Sequence, residues 1–253
     1  MYDFKGKVAL VTGGGAGIGR ATALAFARAG ARVVIGNRNA EAGTETVALI
    51  AAAGGTAVFQ RTDVTVAAQV ELLVARAVRE FGALDCAFNN AGIFTPLTPL
   101  TDVDEDAFDR VLATNAKGVW LALKYELRQM LKQGAGVIVN NASIAGLVGT
   151  SVGAAAYVAS KHAVVGLTKA AALENARKGV RVNVVAPAVI ETDMATAFAG
   201  DLKITMDDFA RMHPIGRVGK PEEVANAVLW LCSSDAAFVT GHTLAVDGGL
   251  TAQ

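Results

Sequence analysis

The chain has 253 residues, 53% hydrophobic and 18% charged, and its 23 basic and 23 acidic side chains give a formal net charge of +0. That balance excludes an electrostatic case for nucleic acid or an anionic membrane as partner, and the apolar content excludes a disordered chain. No composition break, Pro- or Ser-rich linker or internal repeat divides the sequence, so one α/β domain over residues 1–253 is expected. Cys86 and Cys232 lie in apolar runs without metal spacing and read as buried free thiols in a reducing, cytoplasmic compartment. No apolar run is long enough to span a bilayer, and no signal peptide is expected before the first strand.

Residues 8–11 form a short continuous apolar run, the pattern of a strand buried on both faces. It leads into Thr12-Gly13-Gly-Gly-Ala-Gly17-Ile18-Gly19 and a helix over 20–28 that stops at Gly30. Strand, glycine turn and helix together give a glycine motif its meaning: bare backbone admits a diphosphate, and the helix N-terminus offers free N–H groups and a positive dipole end. A merely flexible turn is the plain alternative. A second strand over 32–35 runs on to Gly36-Asn37-Arg38, and a third over 56–59 ends at Asp63-Val64. A carboxylate there can accept from an adenine amino group while its neighbour packs the ring, or it can cap the helix expected over 66–81. A fourth strand over 84–88 runs into Asn89-Asn90-Ala91-Gly92, a small-residue turn suited to close packing against a cofactor ring.

A long helix is expected over 105–131, with Asn115, Lys117 and Gly118 in its middle. Asn and Gly are poor helix residues, so they predict a local irregularity. It either frees the Asn115 side chain or main-chain carbonyl to hold water or is purely structural. The fifth strand, around 137–139, precedes Ser143, and an alanine-rich helix over 154–177 carries Tyr157 and Lys161 on one face, one turn apart. With hardly any polar face, this helix is expected to be buried on both sides, half of it against a second subunit. A sixth strand over 180–185 ends at Pro187-Ala188-Val-Ile190-Glu-Thr192, where Thr192 can hydrogen-bond a cofactor amide. Residues 190–214 read as a flap over the site, Pro221 as the N1 residue of another helix, and 243–246 as the last strand. His162, His213 and His242 share no spacing, so no metal site is expected.

The chemistry is placed at Ser143, Tyr157 and Lys161. Bringing a tyrosine from its ordinary pKa of about 10 to about 7 needs roughly 4 kcal/mol in favour of the phenolate. One cation about 4 Å away supplies roughly that at an effective dielectric of about 20. With Lys161 as that cation, Tyr157 can exchange a proton with a substrate hydroxyl or carbonyl, and Ser143 can donate a hydrogen bond to the same oxygen. Taken alone, Tyr-x3-Lys is also an ordinary helix pair.

These motifs, in this order and spacing, resemble the short-chain dehydrogenase/reductase family over essentially the whole chain. The resemblance rests on Thr12-Gly13-x3-Gly17-Ile18-Gly19, Asp63, Asn89-Asn90-Ala91-Gly92, Asn115, Ser143, Tyr157-x3-Lys161, and Pro187 with Thr192. It implies a single doubly wound Rossmann-type domain with a seven-stranded parallel sheet, and hydride transfer between a nicotinamide cofactor and an alcohol or carbonyl. It further implies Tyr157 as acid/base, Lys161 on the nicotinamide ribose, Ser143 orienting the carbonyl, Asn115 anchoring a water in a proton relay, and a homotetramer. Ala188 stands where the family usually has Gly, which is expected to crowd the nicotinamide edge slightly or hold φ below zero. The main reading is an NAD(P)-dependent secondary alcohol dehydrogenase or ketone reductase. The alternatives are a 3-oxoacyl-thioester reductase of the same family and a non-catalytic NAD(P)-binding regulatory protein. At the end of the second strand the usual acid is replaced by Asn37 and followed by Arg38. A guanidinium there can fork onto a 2′-phosphate, so NADP(H) is expected to be modestly preferred; pairing of Arg38 with Glu41 is the plain alternative.

Overall fold

Alternate residues of the first strand belong to different cores. Ala9 and Val11 pack with one set of helices and Val8 and Leu10 with the other, and all four are 1% exposed or less. That is why the run is apolar without interruption. The computed structural model describes residues 2–253. Its strands are β1 (Val8–Thr12), β2 (Arg32–Asn37), β3 (Thr56–Arg61), β4 (Cys86–Asn89), β5 (Gly136–Asn141), β6 (Val180–Pro187) and β7 (Thr243–Val246). They form one parallel sheet in the order β3-β2-β1-β4-β5-β6-β7. The helices are α1 (Gly17–Arg28), α2 (Ala40–Ala52), α3 (Ala67–Phe81), α4 (Glu105–Leu112), α5 (Gly118–Gln133), α6 (Ala155–Asn175), α7 (Asp193–Leu202), α8 (Met206–Met212) and α9 (Pro221–Cys232). Helices α1, α2 and α9 cover one face of the sheet, and α3, α5 and α6 the other.

From β1 the chain winds outward to β2 and β3, then returns to the other side of β1 with β4. The two windings part between β1 and β4, and the carboxyl ends of these strands open a crevice there.

Most expected elements appear within a residue or two, and the departures have local causes. Helix α1 begins at Gly17 rather than at residue 20, so the last glycines already form its first turn. The fourth strand begins at Cys86, because Asp85 is turned aside to hold the amide of Val8 through Oδ2 (2.9 Å). The long helix is interrupted as expected: a π-helical turn over Ala113–Lys117 separates α4 from α5 and contains Asn115. Asp63 does not cap α3. Its Oδ1 accepts from the amide and hydroxyl of Thr65 (2.9 and 2.7 Å), and the N-cap is Val66, whose side chain makes no capping bond. Helix α6 stops at Asn175 ahead of a short 3-10 turn. Its outward face is not wholly apolar, since His162, Lys169 and Glu174 are exposed there, but Leu173 is 82% exposed beside them. The segment read as a flap is two helices, α7 and α8, joined at Lys203 in the left-handed region (φ 55°) and restarted by a Thr205/Asp208 capping box.

Candidate active site

The glycine turn leaves β1 with Gly13 at φ 65°. A Cβ there would lie 2.9 Å from Ala91 Cα, so a bare backbone lets this turn meet the one that follows β4. A Cβ on Gly19 would run into the Gly13 carbonyl oxygen, so that glycine closes the loop onto its own helix rather than admitting a ligand. Thr12 ties the two turns together: its Oγ1 accepts from the amides of Asn90 (3.0 Å) and Ala91 (3.2 Å). The N-cap of α1, Ala16, makes no side-chain capping bond, which leaves the first amides of a 12-residue helix facing the crevice. A glycine-rich turn leading into a helix N-terminus with no capping side chain fits the diphosphate of a dinucleotide.

A cavity of about 570 Å³ occupies the crevice. Gly13, Gly17, Ile18, Asn37, Asn90, Ala91, Gly92, Ser143, Tyr157, Lys161, Pro187, Ile190 and Thr192 all reach its wall. Gly19, Arg38, Asp63, Val64 and Asn115 lie off it. Asn115 is buried behind the wall, bound to the backbone of Ile93 through Oδ1 (2.8 Å) and Nδ2 (2.9 Å) and to Ser160 Oγ (3.2 Å). Its side chain is therefore fully committed, and of the two water-holding options only the main-chain carbonyl is left. The Thr192 hydroxyl is also engaged, donating to Ile190 O (3.1 Å) and accepting from Ala195 N (3.3 Å) as the N-cap of α7. Ala188 has no positive φ, so its methyl group sits on the wall without backbone strain. Arg38 is exposed, and among the described residues it forms no ion pair, with Glu41 or otherwise. Its nearest effect is on Asp63, whose carboxyl is held below its ordinary range; burial opposes this, while the Thr65 hydrogen bonds and the charge of Arg38 favour it.

Ser143, extended at φ −175°, follows the last residues of β5; its Oγ accepts from the amide of Ala145 (3.2 Å), and its hydroxyl is near enough to the Tyr157 phenol to favour the phenolate. Lys161 is 5% exposed and donates from Nζ to Asn141 O (2.9 Å), with Nζ 5.4 Å from the centre of the Tyr157 ring. The charge balance expected from the sequence is not what these three residues produce. Burial pushes the Tyr157 phenol up to about 12, against the pull of the Ser143 hydrogen bond, and burial brings the Lys161 ammonium down to about 8. A Coulomb estimate between two partners leaves out the loss of water around both, and here desolvation dominates.

The wall opposite the glycine cradle is aromatic, which the sequence did not single out. Tyr157 meets Phe94 edge to face (5.0 Å, 68°), Phe94 meets Phe198 (5.1 Å, 69°), and Phe198 stacks on Phe209 (5.4 Å, 14°). Phe94 lies just past the Asn-Ala-Gly turn, while Phe198 and Phe209 come from α7 and α8. The one available signal was apolar residues set among the charges of the flap. His213 ends α8 with Nδ1 donating to Phe209 O (2.7 Å) and reaches the cavity wall. Among the described residues no cluster of His, Cys, Asp and Glu is arranged to hold a metal ion, and no helix is long and apolar enough to cross a membrane.

A family model described as enoyl-(acyl carrier protein) reductase matches residues 13–251. A short-chain dehydrogenase/reductase of Aspergillus oryzae is 42% identical over 99% of this chain and 97% of its own length. The cyclohexanol dehydrogenase of Acinetobacter sp. is 44% identical (99% and 97% covered). The cis-4-hydroxycyclohexanecarboxylate dehydrogenase of Sinomonas cyclohexanicum is 45% identical (98% and 98%). Among solved structures, levodione reductase superposes with a TM-score of 0.95 at 36% identity, covering 98% of this chain and 99% of that one.

Proposed function

This chain belongs to the short-chain dehydrogenase/reductase family and is an NAD(P)-dependent oxidoreductase acting on a secondary alcohol or its ketone, and we propose that its substrate is a cyclic one. The observation that carries the substrate class is the row Phe94, Phe198 and Phe209 running out from Tyr157. An apolar wall of aromatic rings beside the Tyr157 and Ser143 hydroxyls suits an alicyclic ring carrying the reacting oxygen. The cyclohexanol dehydrogenase among the relatives agrees with this, and the cis-4-hydroxycyclohexanecarboxylate dehydrogenase shares the ring while its substrate adds a carboxylate.

A bound nicotinamide dinucleotide supplies the hydride donor or acceptor. The chain's own residues bind it, orient the substrate and move the proton. The amides at the start of α1 take the diphosphate, and Pro187, Ile190 and Thr192 line the nicotinamide side. Asp63 and Val64, off the cavity wall, are assigned to the adenine end. Ser143 donates to the substrate oxygen. Tyr157, a neutral phenol at ordinary pH, gives its proton to that oxygen in reduction. In oxidation the phenol must first lose the proton, and Lys161 is the cation nearest to the resulting phenolate. The main-chain carbonyl of Asn115, in the π-helical turn, is left to anchor the water that carries the proton outward. Arg38, exposed and unpaired at the end of β2, favours the 2′-phosphate of NADP(H) modestly, while Asn37 serves the ribose hydroxyl of NAD(H).

The test follows nicotinamide absorbance with cyclohexanol, cyclohexanone, a linear secondary alcohol and a 3-oxoacyl thioester. The cyclic pair is expected to have the highest kcat/KM, with Tyr157→Phe lowering kcat by about a thousandfold or more while cofactor binding holds. Preference for the thioester, or a Tyr157→Phe enzyme within a few-fold of wild type, would overturn the reading.

A further inference from the structure

Beneath the cleft the sheet carries a second polar cluster that the reaction leaves unexplained. Glu126 of α5, Asn89 of β4, Asn140 of β5 and Thr168 of α6 are 1%, 2%, 0% and 1% exposed. The direction of each hydrogen bond follows from one end. Thr168 gives its single hydroxyl hydrogen to Val164 O (2.8 Å), so it can only accept from Asn140 Nδ2 (2.8 Å). That turns Asn140 Oδ1 toward Asn89, whose Nδ2 donates to it (2.9 Å). The other Nδ2 hydrogen of Asn89 goes to Glu126 Oε2 (2.9 Å). Two buried acceptors then remain without a partner, Asn89 Oδ1 and Glu126 Oε1. An ionised Glu126 has no hydrogen to offer, so it would leave both unmet and bury a charge besides.

We propose that Glu126 is held as the neutral acid, donating from Oε1 to Asn89 Oδ1 in a two-bond acid–amide pair, and that this pair positions the cleft residues above it. Asn89 and Asn140 are partners in the β4–β5 register. The residues that follow them turn to the cleft side and are joined in their own rung, Asn141 Nδ2 donating to Asn90 Oδ1 (2.9 Å). Asn90 Nδ2 in turn holds the carbonyls of Thr12 (3.2 Å) and Gly13 (3.3 Å), and Asn141 O holds Lys161 Nζ. The lower rung thus sets the height and tilt of the upper one, which carries both the glycine turn and the active-site lysine. Glu126 touches neither substrate nor cofactor and acts as a positioning residue.

Among the described residues, the charged groups on the elements packed around the carboxyl are engaged elsewhere or exposed. On α5 the ammonium of Lys124 lies over Trp120 and Tyr125, and the guanidinium of Arg128 lies over Tyr125. On α3, Arg76 and Arg79 pair with Glu80. On α6, Lys161 is taken by Asn141 O, and Lys169 and Glu174 are exposed. On β6, Arg181 is bound to the carbonyls of Ser233 and Val239. Burial accordingly lifts the Glu126 carboxyl to about 7 against a single opposing hydrogen bond from Asn89.

The positioning half of this inference rests on the active-site reading, but the acid–amide pair does not, and the experiment separates them. Infrared difference spectra of wild type minus Glu126→Gln are recorded without substrate between about pH 5 and pH 8. A protonated-carboxyl stretch is expected that fades as pH rises through about 7; no such band at any pH overturns the pair. Glutamine can make both bonds to Asn89 at every pH, so Glu126→Gln should keep kcat/KM within about threefold of wild type near pH 6 and lose less than wild type above pH 7. Glu126→Leu, which can make neither bond, should lose at least about tenfold in kcat. Equal losses in Gln and Leu variants, or a Leu variant with wild-type kcat, overturn the positioning role. Should the Leu variant not fold, the pH profile of the Gln variant decides, and a profile parallel to wild type counts against it.

Discussion

Replacing Lys161 with methionine should make the folded protein more stable at neutral pH while destroying its activity. The lysine is 5% exposed, and burial brings its pKa from an ordinary 10.5 down to about 8. The unfolded chain therefore holds the proton more tightly than the folded one. Stability rises as pH climbs from about 8 to about 10.5, and below about 8 the full deficit remains. At pH 7 the shift of about 2.5 pK units corresponds to about 3 kcal/mol of stability forgone. At pH 9.5 the folded lysine is largely neutral, and about 1.5 kcal/mol of that deficit remains. Methionine matches the length of the apolar stem but cannot donate to Asn141 O, a loss of about 1–3 kcal/mol that does not depend on pH. The difference between the two pH values removes that contribution. Urea unfolding of both proteins without cofactor should show Lys161→Met gaining about 2 kcal/mol more over wild type at pH 7 than at pH 9.5. A gain that is the same at both pH values would refute the buried-ammonium argument. A gain larger at pH 9.5 would mean that the lysine is stabilised as a cation in the folded chain.

Arg38→Ala should lower kcat/KM for NADP(H) about fivefold, roughly the 1 kcal/mol of one exposed charge-assisted contact, and leave NAD(H) nearly unchanged. A wild type favouring NAD(H) tenfold, or an unchanged cofactor ratio, would remove Arg38 from cofactor choice. The homotetramer expected from the sequence would bury the exposed Leu173 on α6 and Trp120 on α5 (43% exposed). Light scattering at micromolar concentration should give about four times the chain mass for wild type and a smaller species for Leu173→Glu; a monomeric wild type would dismiss it.

Much of this protein could be read along the chain because the signals are local. An apolar run of four residues followed by glycines and an alanine-rich helix can hardly form anything but a buried strand, a tight turn and a helix. Asn115 and Gly118 inside a long helix announced the π-helical turn, since neither residue favours the regular form. Tyr157 and Lys161 share a helix face by spacing alone. The family resemblance extended these local readings to the order of the sheet.

Other features depend on what the rest of the chain places around a residue, and no spacing carries that. Asp63 could be read as an adenine acceptor or as a helix cap, and Thr65, two residues on, took its Oδ1 away from the helix. Asn115 looked free to hold water until folding brought the backbone of Ile93 against it. Phe94, Phe198 and Phe209, far apart in sequence, became one wall only when α7 and α8 closed over the cleft. The pKa values of Tyr157 and Lys161 depart from the sequence estimate for the same reason. A charge's cost depends on the water it loses, and only the packed structure decides how much water is left. Glu126 is the extreme case: nothing in the sequence around it marks it, and only the stacking of α5 and α6 on β4 and β5 turns it inward to face Asn89.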